Sequence, residues 1–342
     1  MSKKKIIIFK NEATGDLVHS REAIYNIINS NKEKEIILYI SQINKEFTFL
    51  FSGENLTIKL INHNLSLLEK IKIFISLFGK FNEEVFILAP KNFYFYLSFF
   101  FKNIKFYALI MKDINNYQRP NNFLKKYLYK HVVNDRSLNF RRPSTFTLQN
   151  QLIGDYHKKT YIVNLDNKVN DIPITLDNYC HFHINKKKFD KLGWGSENIE
   201  VILNHLLKYN KKIVLTRDIE NYNRNRDFYE KFNVYDFNSK NFIDNKSNII
   251  LMENVQGEQL YNIIRKADKI IAFHGMITSF AWIEKKKVLD LYFCEINNWD
   301  DYRKYRNSFY EFKPSYKGYD FIIPKKDITK TLKKMNFFLK ND

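Results

Sequence analysis

Short apolar runs alternate with longer stretches of helical periodicity along this chain. The runs "KIIIF" at 5 to 9, "EIILYI" at 35 to 40, "LTIKLI" at 56 to 61, "EVFILA" at 84 to 89 and "KFYALIM" at 105 to 111 each have the length of one strand. Between the first two, Leu17, Val18, Ile24, Ile27 and Ile28 recur on one helix face, which predicts a crossover helix over 16 to 29 with Gly15 in the turn before it. Strands joined by helices imply a parallel α/β sheet, because each parallel connection must cross the sheet and cover it. The most apolar stretch, "FYFYLSFFFKNIKFYALIM" at 93 to 111, is broken by Lys102, Asn103 and Lys105, so it reads as helix, turn and strand and not as a membrane span.

From about 112 to 150 the pattern loosens into a polar, proline-containing connector. A second series follows with strands at 160 to 165, 178 to 184, 211 to 216, 232 to 237, 248 to 252, 269 to 273 and 287 to 293, and helices at 196 to 209 and 257 to 267. Ile328, Leu332, Met335 and Phe338 fall at helical spacing near the end. The expected organisation is a first α/β domain over 1–150, a second over 151–325 and a closing helix over 326–342. A chain of 342 residues suits such a division, since domains run to about 150 residues.

Charge changes the picture next. The formal net charge of +19 attracts polyanions, whether nucleic acid, anionic lipid headgroups, phosphorylated glycans or nucleoside diphosphates, although an AT-rich codon bias also enriches Lys, Asn, Ile, Phe and Tyr. The lysines are scattered along the whole chain with no nucleic-acid-binding signature, so a nucleic-acid partner is not expected; a non-catalytic binder of nucleic acid or another polyanion stays as the alternative to an enzyme. Cys180 and Cys294 form no CxxC pair, which points to a reducing cytoplasm without a disulfide framework or zinc site. The opening "MSKKKIIIFK" is expected to be a first strand, its apolar core being too short for a signal peptide. The basic, aromatic segment 121 to 142 is either an ordinary helix with a solvated face or a peripheral contact with anionic membrane through Lys125, Lys126, Lys130, Arg141 and Arg142, with Tyr127 and Tyr129 at the interface.

Three places are positioned for chemistry, since ligands of parallel sheets bind at the carboxyl ends of strands. Asp16, after the first strand, is either a helix cap or a carboxylate presented to a ligand, and Lys10 ends that strand. His274 and Gly275 lead from a strand into a helix beginning near Met276, an arrangement that offers free N–H groups to a pyrophosphate or is a plain turn. Lys186, Lys187, Lys188 and Lys191 follow the strand ending at Ile184, as phosphate contacts or as a solvated charge run, and Ser196 is placed to cap the next helix. Glu220 follows the "VLT" strand and is a weaker candidate for a ribose or base contact. His181 and His183 have no third ligand in register, so no metal is expected. Phosphate-loop, GxGxxG, GxSxG, HExxH and D-x-D patterns are absent.

The stretch "IIIFKNEATGDLVHSREAI" resembles the opening of glycosyltransferase family 9, the heptosyltransferases, in which an apolar strand, a basic residue and a short turn precede G-D-V-I-H-T-x-P-A. The match runs over Lys10, Gly15, Asp16, Leu17, Val18, His19, Ser20 and Ala23. The second half is similar in order: "GWGSENIEVILNHLL", "KKIVLT", "ADKII", then the turn where the family has D-[ST]-G-P-x-H. Here that turn reads Phe273, His274, Gly275, Met276 and Thr278, and the family's first-motif proline is Glu22. The resemblance implies the GT-B fold, two Rossmann-like domains with parallel sheets facing across a cleft. It implies an inverting, metal-independent transfer of a hexosyl or heptosyl group from a nucleotide-sugar donor to a lipopolysaccharide or other cell-surface glycan or glycolipid, at the inner face of the membrane and without a cofactor. Asp16 would be the catalytic base, and Lys10, Lys186, Lys187, Lys188, Lys191, Glu220, His274, Gly275, Met276 and Thr278 would surround the donor. Another GT-B activity, such as nucleotide-sugar epimerisation, stays open beside it.

Overall fold

A computed structural model describes residues 4–80, 83–112, 118–135, 144–156, 177–218, 226–293 and 316–340. The expected strand at 160 to 165, together with Glu220, Arg141, Arg142 and Cys294, lies outside these residues. The described chain divides into two compact units, one up to Tyr156 and the other from Asp177 onward.

The first unit runs β1 (Lys5–Lys10), α1 (Thr14–His19), α2 (Arg21–Asn29), β2 (Glu35–Ser41), a 3-10 segment (Gln42–Leu50), β3 (Leu56–Ile61), α3 (Leu67–Leu77), β4 (Glu84–Ile87), α4 (Asn92–Phe100), β5 (Lys105–Lys112), β6 (Gln118–Arg119), α5 (Asn122–Lys125), β7 (Lys130–Asp135) and α6 (Thr145–Ile153). Strands β3-β2-β1-β4-β5 lie in that order and all parallel, with β7 parallel and β6 antiparallel to β5. The apolar β1 is buried from Ile6 onward because it has hydrogen-bonded neighbours on both sides and helices over both faces. β3, whose residues alternate in exposure, lies at the edge. Helix α4, its turn and β5 fall where the 93 to 111 stretch predicts them.

Two expectations change here. The single crossover helix over 16 to 29 is two helices broken at Ser20, whose hydroxyl donates to the Asp16 carbonyl at 2.9 Å and accepts from Gln149 Nε2 at 2.8 Å, offering the backbone an alternative to the helix ladder. Gly15 is not in the turn: helix bonding already begins with Leu17 N–H donating to Ala13 at 3.0 Å, so Gly15 is the second residue of α1. The polar Thr14–Asp16 stretch gives no apolar signal, which hides the true helix start. The described part of the segment 121 to 142, up to Asp135, is not one helix: after the single turn of α5 it enters β7, whose partner is β5. Helix α6 spans residue 150 and packs on the first sheet.

The second unit runs β8 (Cys180–Ile184), α7 (Lys186–Leu192), α8 (Ser196–Leu207), β9 (Ile213–Arg217), α9 (Arg226–Tyr229), β10 (Asn233–Asp236), β11 (Asn241–Ile243), β12 (Ile249–Glu253), α10 (Gly257–Lys266), β13 (Lys269–Phe273), α11 (Met276–Ile283), β14 (Lys287–Leu291), β15 (Tyr319–Ile322) and a C-terminal helix, Ile328–Lys340. The order is β11-β10-β12-β9-β8-β13-β14-β15, parallel except for β11. The C-terminal helix packs on α8 and β15, and Trp194 ties down its approach by donating Nε1–H to the Lys326 carbonyl at 3.1 Å. Gly195, not Ser196, stands at the N-cap of α8; its N–H donates to the Asn198 side chain at 3.0 Å.

In each sheet the winding reverses beside the first strand. β1 lies between β2 and β4, and β8 lies between β9 and β13. At such a point successive crossovers leave in opposite directions, and the carboxyl ends of the strands open into a crevice. Among the described residues, no helix is long and apolar enough to cross a membrane.

Candidate functional site

The turn after β1 is built from polar groups that have lost water. Lys10 is 2% exposed; its ammonium pairs with Glu12 and also donates to the Leu88 carbonyl at 3.3 Å. A buried cation needs a local counter-charge, and for Lys10, which the resemblance set beside the donor, Glu12 supplies it within the first unit. Lys91, at the start of α4, donates to the Asn11 carbonyl at 2.9 Å and to the His63 carbonyl. Burial pushes its pKa down, with Glu12 opposing and Lys10 adding to the shift. Asn11 bridges the turn, donating to the Asn62 carbonyl at 2.9 Å and accepting from the buried Tyr94 hydroxyl at 2.8 Å.

The buried Asn44 closes the network, accepting from Thr14 Oγ1 at 2.7 Å and donating to the Glu12 carbonyl at 2.9 Å. The outcome is a pinned turn with Asp16 half-buried in the first turn of α1. Ala13 is the N-cap, so Asp16 is not the capping residue. A carboxylate at this place is stabilised in its charged form by the helix dipole.

The second unit gathers its charges where β8 and β13 end. The four lysines of α7 separate: Lys187 and Lys191 are exposed, Lys186 pairs with Asp190 at 2.7 Å, and Lys188 turns inward to donate to the His274 carbonyl at 2.5 Å. Burial lowers the Lys188 pKa while Asp290 and Asp218 pull it back up. His274 Nδ1 lies 2.7 Å from Asp290 Oδ2, and the same oxygen accepts from the Tyr319 hydroxyl at 2.8 Å. Asp290 is fully buried, and its Oδ1 has no hydrogen-bond partner among the described residues. Its carboxylate pushes the Tyr319 pKa up, after burial as the larger cause.

Gly275 has φ 154 and ψ −145, a backbone conformation that only glycine adopts easily, and a Cβ there would meet open space. Conformation, and not crowding, is therefore what calls for glycine. Thr278, expected beside the donor, uses its hydroxyl to close the first turn of α11 with Gly275, at 3.1 Å from its N–H and 3.0 Å from its carbonyl. Met276 is half-buried at the first position of that helix.

The two strand histidines serve structure. His181 Nε2 and His183 Nδ1 both lie 2.8 Å from Thr216 Oγ1, and His183 Nε2 lies 3.3 Å from Asp218. Asp218 in turn accepts the Lys186 backbone N–H at 3.1 Å. Burial, reinforced by His183, pushes the His181 pKa down to about 3. Among the described residues, no group of three His, Cys, Asp or Glu side chains is arranged to hold a metal. Beyond β9, a cavity of about 520 Å³ opens at the ends of β10 and β12, lined by Arg217, Tyr229, Asp236, Asn245 and Glu253. Arg217 sits 4.5 Å from the Tyr229 ring centre and pairs with Glu253 at 2.5 Å.

Sequence reading missed Glu12, Asn44, Lys91, Asp218, Asp290 and Tyr319. Asp290 had a signal: an acid inside the apolar run "KVLDLYF" must be buried with partners if that run is a central strand.

No protein-family model and no curated protein matches the chain. Solved structures do. E. coli heptosyltransferase WaaC with ADP superposes with a TM-score of 0.64 at 9% identity, over 98% of this chain and 99% of that one. A glycosyl transferase family 9 protein from Veillonella parvula gives 0.58 at 11% identity, over 98% and 97%. A UDP-N-acetylglucosamine 2-epimerase from Listeria monocytogenes, described as putative, gives 0.58 at 10% identity, over 99% and 89%. At these identities the likeness establishes the fold, GT-B with its two Rossmann-like units.

Two outcomes follow from the buried polar groups. Asn44→Leu leaves the Glu12 carbonyl and the Thr14 hydroxyl without this partner and should lower stability by about 1–3 kcal/mol, read from urea unfolding. His181 stays neutral in the folded state down to about pH 3, while the unfolded chain takes up its proton near 6.5. Its contribution is therefore intact above 6.5 and is lost as pH falls, by at most about 1.4 kcal/mol per unit. His181→Gln should show a shallower acid loss than the parent between those limits; equal slopes would contradict the assignment.

Proposed function

We propose that the chain is an inverting, metal-independent glycosyltransferase acting from a nucleotide-sugar donor onto a hydroxyl of a lipopolysaccharide or other cell-surface glycan. The observation that supports it most is the cationic turn at the β8/β13 switch point, where the Lys188 ammonium, the ring of His274 and the start of α11 converge. Such a turn suits a diphosphate: a point charge, an imidazole steadied by a buried carboxylate, and the positive end of a helix dipole. The cavity of about 520 Å³ at the ends of β10 and β12 in the same sheet is of a size that accepts a nucleoside. Structural likeness to a heptosyltransferase with ADP agrees with that reading.

In the proposed reaction Asp16 accepts the proton of the acceptor hydroxyl as its oxygen bonds to the anomeric carbon. The bond from that carbon to the diphosphate breaks on the opposite face, and the nucleoside diphosphate departs with the electron pair. Lys188, His274 and the α11 N–H groups stabilise the charge that develops on it. Lys186, Lys187 and Lys191 contribute field more than contact, since the first is paired and the other two are exposed. Likeness to a UDP-N-acetylglucosamine 2-epimerase favours a second reading, in which the donor sugar is altered with no acceptor.

Thermal stabilisation by ADP-, UDP-, GDP- and CMP-linked sugars identifies the donor, because a ligand bound only by the folded state raises its stability. Product is then sought with and without a glycan acceptor; product formed without one selects the epimerase. Asp16→Asn should slow transfer by roughly 10²–10⁴-fold and leave the donor-induced stabilisation unchanged. Undiminished transfer removes Asp16 as the base. Asp290→Asn should weaken donor binding about 10-fold by freeing the His274 ring, with the effect confined to donor affinity.

A further inference from the structure

We infer that the outer face of the α3–α4–α5 layer docks on an anionic lipid bilayer. These three helices cover one face of the first sheet: Ile73 and Leu77 of α3, Tyr94 and Phe95 of α4, and Leu124 of α5 enter a single core cluster. Their seams are closed by rings, with Phe74 5.6 Å from Phe100 and Phe99 5.8 Å from Phe123. What points away from the sheet is also apolar. Leu67, Ile71 and Ile75 recur along one stripe of α3 at 72%, 45% and 64% exposure, and Phe78 at its C-cap is 72% exposed. Tyr96 and Phe100 of α4 and Phe123 of α5 are each more than half exposed. A helix apolar on both faces has a partner on both, and large apolar side chains gathered on three neighbouring helices mark an interaction surface.

Charge identifies the partner. Segments 64–80, 92–104 and 121–129 contain Lys70, Lys72, Lys80, Lys102, Lys125 and Lys126 and a single acid, Glu69. That acid is engaged within its own helix end. Slight burial works against its charge, but hydrogen bonds from the backbone and side chains of Asn62 and Ser66 hold its pKa down at about 2. A second copy of the chain would bring like-charged lysines face to face. An anionic bilayer instead takes the protruding side chains into its interface and neutralises the lysines that fringe them. The inference stands whichever sugar chemistry the protein performs.

Flotation of the full chain with vesicles tests it. Binding is expected to phosphatidylcholine vesicles containing about 30 mol% phosphatidylglycerol, far less to phosphatidylcholine alone, and should weaken as salt is raised. Ile71→Glu/Ile75→Glu should lose at least ~10-fold of the binding while keeping the parent melting temperature, whereas Val201→Glu/Phe337→Glu, at exposed apolar positions of the second unit, should bind as the parent does. Parent-like binding by the Ile71/Ile75 variant overturns the proposal. So does absence of vesicle binding with self-association in sedimentation that this variant abolishes, which would make the face a contact between copies.

Discussion

Each unit depends on a central strand hydrogen-bonded in parallel on both sides, β1 in one and β8 in the other. A strand so placed has no solvent face, so its side chains are buried: apolar from Ile6 to Phe9 in β1, and in β8 alternating with His181 and His183, which are hydrogen-bonded to Thr216. Its backbone groups are satisfied by neighbours to left and right, which requires the chain to wind first one way and then the other. The reversal leaves the carboxyl end of that strand uncovered by crossovers, and polar side chains collect there because nothing else in the layer accommodates them.

How those groups are accommodated is the second theme. Lys10, Lys188, Asp290 and the His181–Thr216–His183–Asp218 chain are all partly or wholly withdrawn from water, and each has a charged or hydrogen-bonding partner close by. The partnering decides how each group is held. Lys10 is tied to Glu12, Lys186 to Asp190, Thr278 to its own helix end, Lys188 to the His274 carbonyl and the His274 ring to Asp290. A residue type at the right place in a sequence is thus only a candidate until its neighbours are known.

The apolar outer face of α3 shows the same logic at a surface. Helical periodicity marks Leu67, Ile71 and Ile75 as one stripe, but both sides of this helix are apolar, and the sequence does not say which side meets the sheet. Packing of Ile73 and Leu77 into the core settles it and leaves the other stripe outward. In the basic segment 121 to 142, only the turn of α5 belongs to this layer, since Lys130–Asp135 pair with β5 in the sheet.

By itself, the sequence determined the alternation of strands and helices, the division into two α/β units, and the likeness of "KNEATGDLVHS" and the Gly275 turn to one family of folds. Those features follow from periodicity and from backbone rules that act over a few residues. Only the tertiary structure decided where helix α1 begins, which lysine of four turns inward, that Asp290 and Tyr319 steady His274, and that Asn44 pins the first turn. Those side-chain contacts join residues 16 to 86 positions apart, and whether a polar group is paired or presented depends on what the fold sets beside it once water has been excluded.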